Sequence, residues 1–80
     1  MPIVENEMYI QVGAFTEFNN ANRVAMRLAG IENVKITSKI IGSKEFFRVR
    51  AGPIISLSNA DNILDRILNA GFLAARIVVD

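Results

Sequence analysis

The chain is 80 residues long, 51% apolar and 21% charged, which allows one small globular domain and excludes a disordered chain. It has no cysteine and no histidine, which excludes disulfide bonds, thiolate metal sites and the side chain most often used in general acid–base catalysis. Nine Lys and Arg residues against eight Asp and Glu residues leave a net charge of +1, far from the excess typical of dedicated nucleic-acid-binding domains. We therefore expect a binding module with no catalytic residue, no metal and no cofactor.

The first predicted strand follows a polar, aperiodic segment over residues 1–7, which predicts a flexible tail before a domain over residues 8–80. Residues 9–15 alternate with period two, as a half-buried strand does. The predicted core face of this strand is Ile10, Val12 and Ala14, and its predicted opposite face is Tyr9, Gln11 and Gly13.

A helix is predicted after the turn at residues 16–20, where an Asn is available as the N-cap. Apolar residues then recur at helical spacing, namely Ala21, Val24, Ala25 and Leu28. Gly30 is expected to end this helix at the C′ position.

A β-hairpin is predicted next, because β-branched residues favour a strand over residues 34–41 and Gly42-Ser43 favours a two-residue turn with glycine first. Residues 45–51 form the third predicted strand, which Gly52-Pro53 is expected to break. The inward residues of the third strand are Phe47, Val49 and Ala51, and its outward residues are Phe46, Arg48 and Arg50.

The second half predicts a helix with Ser58 as N-cap and Asp61 in its first turn, where a carboxylate suits the helix dipole. Its apolar stripe consists of Ala60, Ile63, Leu64, Ile67 and Leu68. Gly71 is expected to close the helix, and residues 73–79 predict a fourth strand. The inward residues of that strand are Ala75, Ile77 and Val79, and its outward residues are Ala74, Arg76 and Val78.

The two halves of the chain resemble each other. At one constant offset, Gly13, Asn20, Ala21 and Arg27 match Gly52, Asn59, Ala60 and Arg66. A repeat this short cannot bury its helix face alone, so the halves must pack together. Right-handed crossovers then predict an α+β fold of the βαββαβ, split βαβ type, which is ferredoxin-like or RNP-like. Its four-stranded antiparallel sheet has strands one and three in the centre and both helices on one face, which leaves the other face open.

The open sheet face is the predicted binding surface. Its predicted residues are Tyr9, Gln11, Gly13, Phe46, Arg48, Arg50 and Arg76, with Lys35, Thr37 and Lys39 joining from the second strand. The planar fork of Arg suits carboxylates or phosphates, and Phe46 lies beside Arg48 on this face. Gly13 removes a side chain from a central strand, which lets a ligand approach the backbone. The alternative interpretation is an ordinary solvated sheet face.

Two other function classes remain open for such a sheet. One is an RNA-binding module of the RNP type, although residues 45–52 do not match the aromatic and basic motif of those domains. The other is a regulatory domain that senses a small molecule. No apolar run is long enough to span a bilayer, and the first residues lack the features of a signal peptide.

Three segments together resemble the SPOR (sporulation-related repeat) family. They are residues 9–15 (Tyr-Ile-Gln-Val-Gly-Ala-Phe), the helix start Asn20-Ala21, and residues 47–54 (Phe-Arg-Val-Arg-Ala-Gly-Pro-Ile). The resemblance covers residues 9–79 and implies a module that binds peptidoglycan glycan strands lacking stem peptides. Because the chain ends just after the predicted fourth strand, it is also similar to the C-terminal SPOR domains of rare lipoprotein A-like septal proteins.

The resemblance places the ligand on the open face. The residues on matching positions are Gln11, Gly13, Phe46, Arg48 and Arg50, with Tyr9 and Arg76 beside them. Arg76 stands where the family often has a neutral residue, Ala14 where many members have Ser, and Ile54 where many have Phe. The resemblance further implies a location in the periplasm or cell envelope at the division septum, within a longer exported or membrane-anchored protein. We expect a monomer that contacts neither nucleic acid nor membrane.

Overall fold

Two helices pack on one face of a four-stranded antiparallel sheet in the computed structural model, which describes residues 7–79. In chain order the elements are β1 (Met8–Phe15), α1 (Phe18–Leu28), β2 (Val34–Ile41), β3 (Lys44–Ile54), α2 (Leu57–Asn69) and β4 (Arg76–Val79). The strand order is β2-β3-β1-β4, which confirms the predicted α+β, βαββαβ fold with the first and third strands in the centre. The tail predicted over residues 1–7 lies outside the described residues except for Glu7.

The core lies between the helices and the inner face of the sheet. Period-two alternation turns Ile10 and Val49 of the central strands towards the helices, where both side chains are fully buried. Leu28 of α1 and Ile67 of α2 meet them from the helix layer and are equally buried. Truncation of such a side chain to alanine costs about 2–5 kcal/mol, so these contacts fix the helices to one side. Neither helix is both long and apolar enough to cross a membrane.

A β-bulge in β1 reverses its alternation. Gln11 pairs with Arg50, but the next pair on β1 is Gly13 with Val49, followed by Ala14 with Arg48. One extra residue on β1 therefore faces β3, and every residue after it changes sides. The predicted faces of Gly13 and Ala14 are both wrong: Gly13 lies opposite buried Val49, and Ala14 lies on the open face, where it is exposed.

The strand β3 continues through Gly52-Pro53, where the sequence predicted a break. The register shifts between the pairs Met8–Ile54 and Ile10–Ala51. Gly52 and Pro53 therefore lie at a second irregularity within the strand. Proline is tolerated at such an irregularity because no ladder hydrogen bond is required of it there. Gly52 has φ +138°, and a Cβ atom on it would lie 2.9 Å from the carbonyl oxygen of Met8. Only glycine fits this position without strain.

The hairpin between β2 and β3 agrees with its prediction. The strand bounds 34–41 are confirmed, and Ile41 pairs with Lys44 across a two-residue loop. Gly42 has φ +64°, as the first residue of a type II′ turn requires.

Three of the predicted helix ends differ from the structure. The N-cap of α1 is Glu17 rather than an Asn, and it makes no side-chain capping hydrogen bond. The N-cap of α2 is Ser56, whose hydroxyl accepts a 3.3 Å hydrogen bond from the backbone N–H of Asn59, so Ser58 lies inside the helix. Gly30 does not adopt the left-handed conformation predicted for it, whereas Gly71 does.

The strand β4 begins three residues later than predicted. Ala75 donates a 3.2 Å backbone hydrogen bond to the carbonyl of Phe72, which closes a turn over the segment predicted as the start of the strand. Arg76 and Ile77 then pair with Gln11 and Ile10, so the predicted alternation of faces holds from Arg76 onward.

Candidate functional site

The open face, meaning the sheet surface turned away from both helices, is defined by residues that pair across neighbouring strands. Its described residues are Tyr9, Gln11 and Ala14 of β1, Lys35, Thr37, Lys39 and Ile41 of β2, Lys44, Phe46, Arg48 and Arg50 of β3, and Arg76 and Val78 of β4. Because register partners share a face, this set follows from the strand pairing alone. The outward placement predicted for Phe46, Arg48 and Arg50 is confirmed.

Positive charge is concentrated on this face. Most of the nine Lys and Arg residues of the chain belong to the set just given. The acidic residues within residues 7–79 lie elsewhere, at Glu7, Glu17, Glu32, Glu45, Asp61 and Asp65. Glu45 is the only one of them within a strand, and its partner Ile40 belongs to the opposite face. The net charge of +1 therefore conceals a surface that attracts anions.

A hollow of about 390 Å³ lies in the open face. Its lining consists of Gln11, Ala14, Lys39, Ile41, Phe46, Arg48 and Arg76, so all four strands contribute to it. An aromatic ring and two aliphatic side chains provide apolar surface, and three cations and one amide provide polar groups. Small-molecule and sugar sites commonly combine an apolar lining with a few convergent polar groups.

Arg48 lines the hollow, and part of its guanidinium is buried beneath the surface. Its Nε atom is buried and has no hydrogen-bond partner within the described part of the chain. Thr37, its register partner on β2, has a buried Oγ1 atom in the same condition.

Arg50 is used differently from Arg48. Its side chain is only 8% exposed, and its guanidinium carbon lies 4.4 Å from the centroid of the Tyr9 ring. A guanidinium stacked in this way is held by a cation–π contact and is largely covered. Arg50 therefore supports Tyr9 and does not line the hollow.

The structure thus divides the predicted site residues into three groups. Gln11, Phe46, Arg48 and Arg76 come together around the hollow, whereas Tyr9 and Arg50 form a stacked pair beside it. Gly13 faces the helices, where a Cβ atom would lie 3.2 Å from the ring of Phe15. The interpretation of Gly13 as an opening towards a ligand on the open face is therefore wrong.

Sequence reasoning misses two residues of the hollow. Alternation assigns Ala14 to the core because the bulge is not visible in it, and Ile41 lies at the hairpin end, beyond Lys39, where the predicted face stops. Continuing the alternation of β2 by one step places Ile41 on the open face. The sequence therefore contains a signal for Ile41 and none for Ala14.

Two other hollows, of about 320 and 380 Å³, lie on the helix side of the sheet. Both include Glu32, and neither contains an aromatic ring. The open face remains the stronger candidate because it alone joins several cations to an aromatic side chain within the described residues.

The strands that form the hollow lie within a region shared with known domains. A family model described as SPOR domain matches residues 5–77. The crystal structure of the RlpA SPOR domain from Pseudomonas aeruginosa is similar at 32% identity and a TM-score of 0.83, over 89% of this chain and 96% of that chain. The solution structure of the peptidoglycan binding domain of the B. subtilis cell wall lytic enzyme CwlC is similar at 25% identity and a TM-score of 0.73, over 100% of this chain and 96% of that one. No curated protein sequence matches the chain.

Proposed function

Because the chain belongs to the SPOR domain family, we propose that it binds peptidoglycan glycan strands lacking stem peptides and brings its parent protein to the division septum. SPOR domains bind peptidoglycan and are not catalytic, so the chain is a binding module rather than an enzyme. The CwlC neighbour carries peptidoglycan binding in its own description, which supports the same ligand class here. The observation that carries the finer proposal is the position of Arg48 between further cations in a hollow with an aromatic wall.

The chemistry of the ligand explains why the absence of the stem peptide matters. In intact peptidoglycan the lactyl carboxyl group of each N-acetylmuramic acid forms an amide bond to the stem peptide. Removal of the peptide leaves a free carboxylate, which a guanidinium binds through charge-assisted and often bidentate hydrogen bonds. We expect the guanidinium of Arg48, which lines the hollow together with Lys39 and Arg76, to bind this carboxylate.

The remaining groups of the hollow suit a sugar ring. The ring of Phe46 can cover the apolar C–H face of a sugar, and the side-chain amide of Gln11 can both donate to and accept from N-acetyl and hydroxyl groups. An intact stem peptide would remove the carboxylate charge and add bulk over a nearly flat sheet. Charge and steric exclusion therefore favour the same ligand.

A binding assay tests the proposal directly. Isothermal titration with glycan strands prepared with and without amidase treatment should give clear binding only to the treated strands. Arg48→Ala should weaken that binding by about 1.5–3 kcal/mol, the range of a hydrogen bond to a charged group. Arg23→Ala, which removes an exposed Arg from α1 on the helix side, should leave it unchanged. Equal affinity of the unaltered domain for both glycans would overturn the proposal.

Location follows from the same ligand. Glycan strands without stem peptides arise where amidases cut the septal wall, so we expect the domain in the periplasm or cell envelope at the septum. A fluorescent fusion directed to the periplasm should form a band at midcell, and the Arg48→Ala variant should be dispersed around the cell. Midcell recruitment that survives this substitution would assign targeting to another surface.

RNA binding remains a second candidate, because the open face joins several cations to Phe46. Single-stranded RNA is bound by stacking on aromatic side chains within a positive groove, and its affinity falls steeply with salt. If a single-stranded RNA oligonucleotide bound more tightly than stripped glycan at 150 mM salt, roughly the physiological ionic strength, this alternative would replace the first.

A further inference from the structure

We propose, resting on the function above, that the glycan strand crosses the sheet diagonally from β2 to β4, with carboxylates of different disaccharides bound by Lys39 at one end and Arg76 at the other. Arg48 binds the carboxylate near the middle of this path. The domain would then select strands in which several neighbouring sugars have lost their peptides, and not a single peptide-free sugar.

The shape of the hollow supports a path across the strands. Its lining includes Lys39 and Ile41 of β2, Phe46 and Arg48 of β3, Gln11 and Ala14 of β1, and Arg76 of β4. A ligand that lay along one strand would contact β3 mainly and would leave Arg76 unused. Since β2 and β4 are the two edges of the sheet, the hollow runs from one edge to the other.

The path along β3 is closed at one end. Beyond Arg48 the next outward residue is Arg50, which is nearly buried and stacked with Tyr9. Neither residue of this pair lines the hollow. A sugar chain that continued along β3 would have to pass over the stack and would find no accessible guanidinium there.

The spacing of the cations favours more than one anion. Arg76 pairs with Gln11 on β1, and Lys39 pairs with Phe46 on β3. Strand spacings of about 4.8 Å and a rise of about 3.3 Å per residue put their Cα atoms on the order of 20 Å apart. One carboxylate meets both side chains only if each extends fully towards the other across the hollow, whereas a ligand with repeated negative charge binds both without that constraint.

Arg76 provides the cation at the β4 end of the path. Its side chain is exposed and borders the hollow from this edge strand. A neutral side chain there would end the cationic path near β1. Arg76 extends the cationic path to β4 and thereby lengthens the peptide-free part of the glycan strand that the domain binds.

Titrations against defined oligosaccharides test the direction of the path. The probes are peptide-free oligomers of one, two and three disaccharides of N-acetylglucosamine and N-acetylmuramic acid. Affinity should rise between one and two disaccharides by much more than the statistical factor. Arg76→Gln should weaken binding of the two-disaccharide oligomer about fivefold to tenfold, as expected for a partly exposed charge-assisted contact, and that of the single disaccharide less than about twofold.

Lys44→Gln is the matched control on the same face. Lys44 pairs with Ile41 at the hairpin end of β3 and lies outside the lining of the hollow. A path across the strands predicts that Lys44→Gln binds both oligomers as tightly as the unaltered domain does. A path along β3 predicts instead that Lys44→Gln loses affinity and that Arg76→Gln does not. The double variant Lys39→Gln, Arg76→Gln should bind one and two disaccharides almost equally.

The outcomes separate the two proposals. If the unaltered domain bound none of these oligosaccharides, the proposed function itself would fall. A different outcome would refute only the diagonal path. In that outcome the unaltered domain binds every oligosaccharide, and Arg76→Gln and Lys44→Gln weaken the binding of each one equally. The charges would then act through the general electrostatic potential of the face. Thermal unfolding of the variants should match that of the unaltered domain because both side chains are exposed.

Discussion

Arg48 and Arg50 are two residues apart on the same face, yet the structure predicts opposite consequences when each is replaced by alanine. Arg50 is 8% exposed and stacked on Tyr9, so its replacement removes a buried aliphatic stem and a cation–π contact. Arg48 borders the hollow, so under the proposed function its replacement removes a ligand contact. We expect Arg50→Ala to lower stability and Arg48→Ala to lower affinity.

The size of the Arg50 effect follows from its contacts. A desolvated cation–π contact contributes about 2 kcal/mol at most, and the loss of packed methylene groups adds about 1–2 kcal/mol. The substitution also removes the repulsion between Arg50 and Lys35, which lies directly opposite on β2, and this offsets the loss in the free energy of unfolding by about 0.2–1 kcal/mol. The net loss in the free energy of unfolding is about 2–3 kcal/mol, which lowers Tm by roughly 10–20 °C in a domain of this length.

Urea denaturation and glycan titration of the same samples separate the two roles. Arg50→Ala should shift the urea midpoint strongly and change the affinity of the folded fraction less than about threefold, since a residue that lines no hollow makes no charge-assisted contact to lose. Arg48→Ala should lower the free energy of unfolding by less than about 0.5–1 kcal/mol and lose most of the affinity. If Arg50→Ala bound as poorly as Arg48→Ala while remaining as stable as the unaltered domain, this division of roles would be wrong.

Three further substitutions test other parts of the structure, and a fourth tests the rim of the hollow. Gly52→Ala places a Cβ atom 2.9 Å from a backbone carbonyl oxygen at φ +138°, so it should lower the free energy of unfolding by about 1–3 kcal/mol or more. Gly30→Ala meets nothing within 4 Å and should be neutral or stabilising by up to about 1 kcal/mol in the same urea titration, and a comparable loss there would contradict the steric cause. Lys35→Glu replaces a like-charge pair with an opposite-charge pair against Arg50 and should raise Tm at low salt, with a gain that shrinks as salt is added; a salt-independent gain would exclude this electrostatic cause. Ala14→Ser adds a hydroxyl to the exposed rim of the hollow and should strengthen glycan binding by about 0.5–1.5 kcal/mol in calorimetry, whereas weaker binding would show that the position has no room for a polar contact.

Simple alternation predicts the half of the sheet that contains no insertion. The pairing of β2 with β3 runs without a register shift from Val34 to Ile41, so apolar and polar residues keep their sides throughout. The turn is equally local, because a glycine with positive φ at its first position is the main requirement. Together these two features are enough to place Phe46 and Arg48 on the open face from the order of the residues alone.

The bulge in β1 could not be predicted, because it involves residues with little contrast in hydropathy. Gly13 and Ala14 are both small, so either register leaves an acceptable pattern. The register is decided by the larger neighbours: Phe15 packs against the core only if the strand gains one residue before it. As a result Gly13 leaves the candidate site and Ala14 enters it.

The burial of Arg50 depends on a contact between strands. The segment Arg48-Val49-Arg50 presents two equivalent outward arginines, and nothing local distinguishes them. The difference comes from Tyr9, which lies beyond Gln11 on the neighbouring strand and covers one guanidinium only. Long-range pairing of this kind becomes available only when the register of β1 and β3 is known.

The separation of charge gives the domain an orientation towards its ligand. Six of the nine cations lie on the open face, whereas Asp61 and Asp65 of α2 and Glu32 lie on the helix side together with the three arginines of the helices, so the charge forms a dipole although the net charge is only +1. Under the proposed function, such a dipole turns the open face towards an anionic glycan strand and speeds productive encounters, but it adds little attraction at long range. Selectivity would then come from contact within the hollow, where a carboxylate either meets Arg48 or is absent. A domain with the same face and a large positive net charge would bind every polyanion it met, including nucleic acid, and could not report the loss of stem peptides.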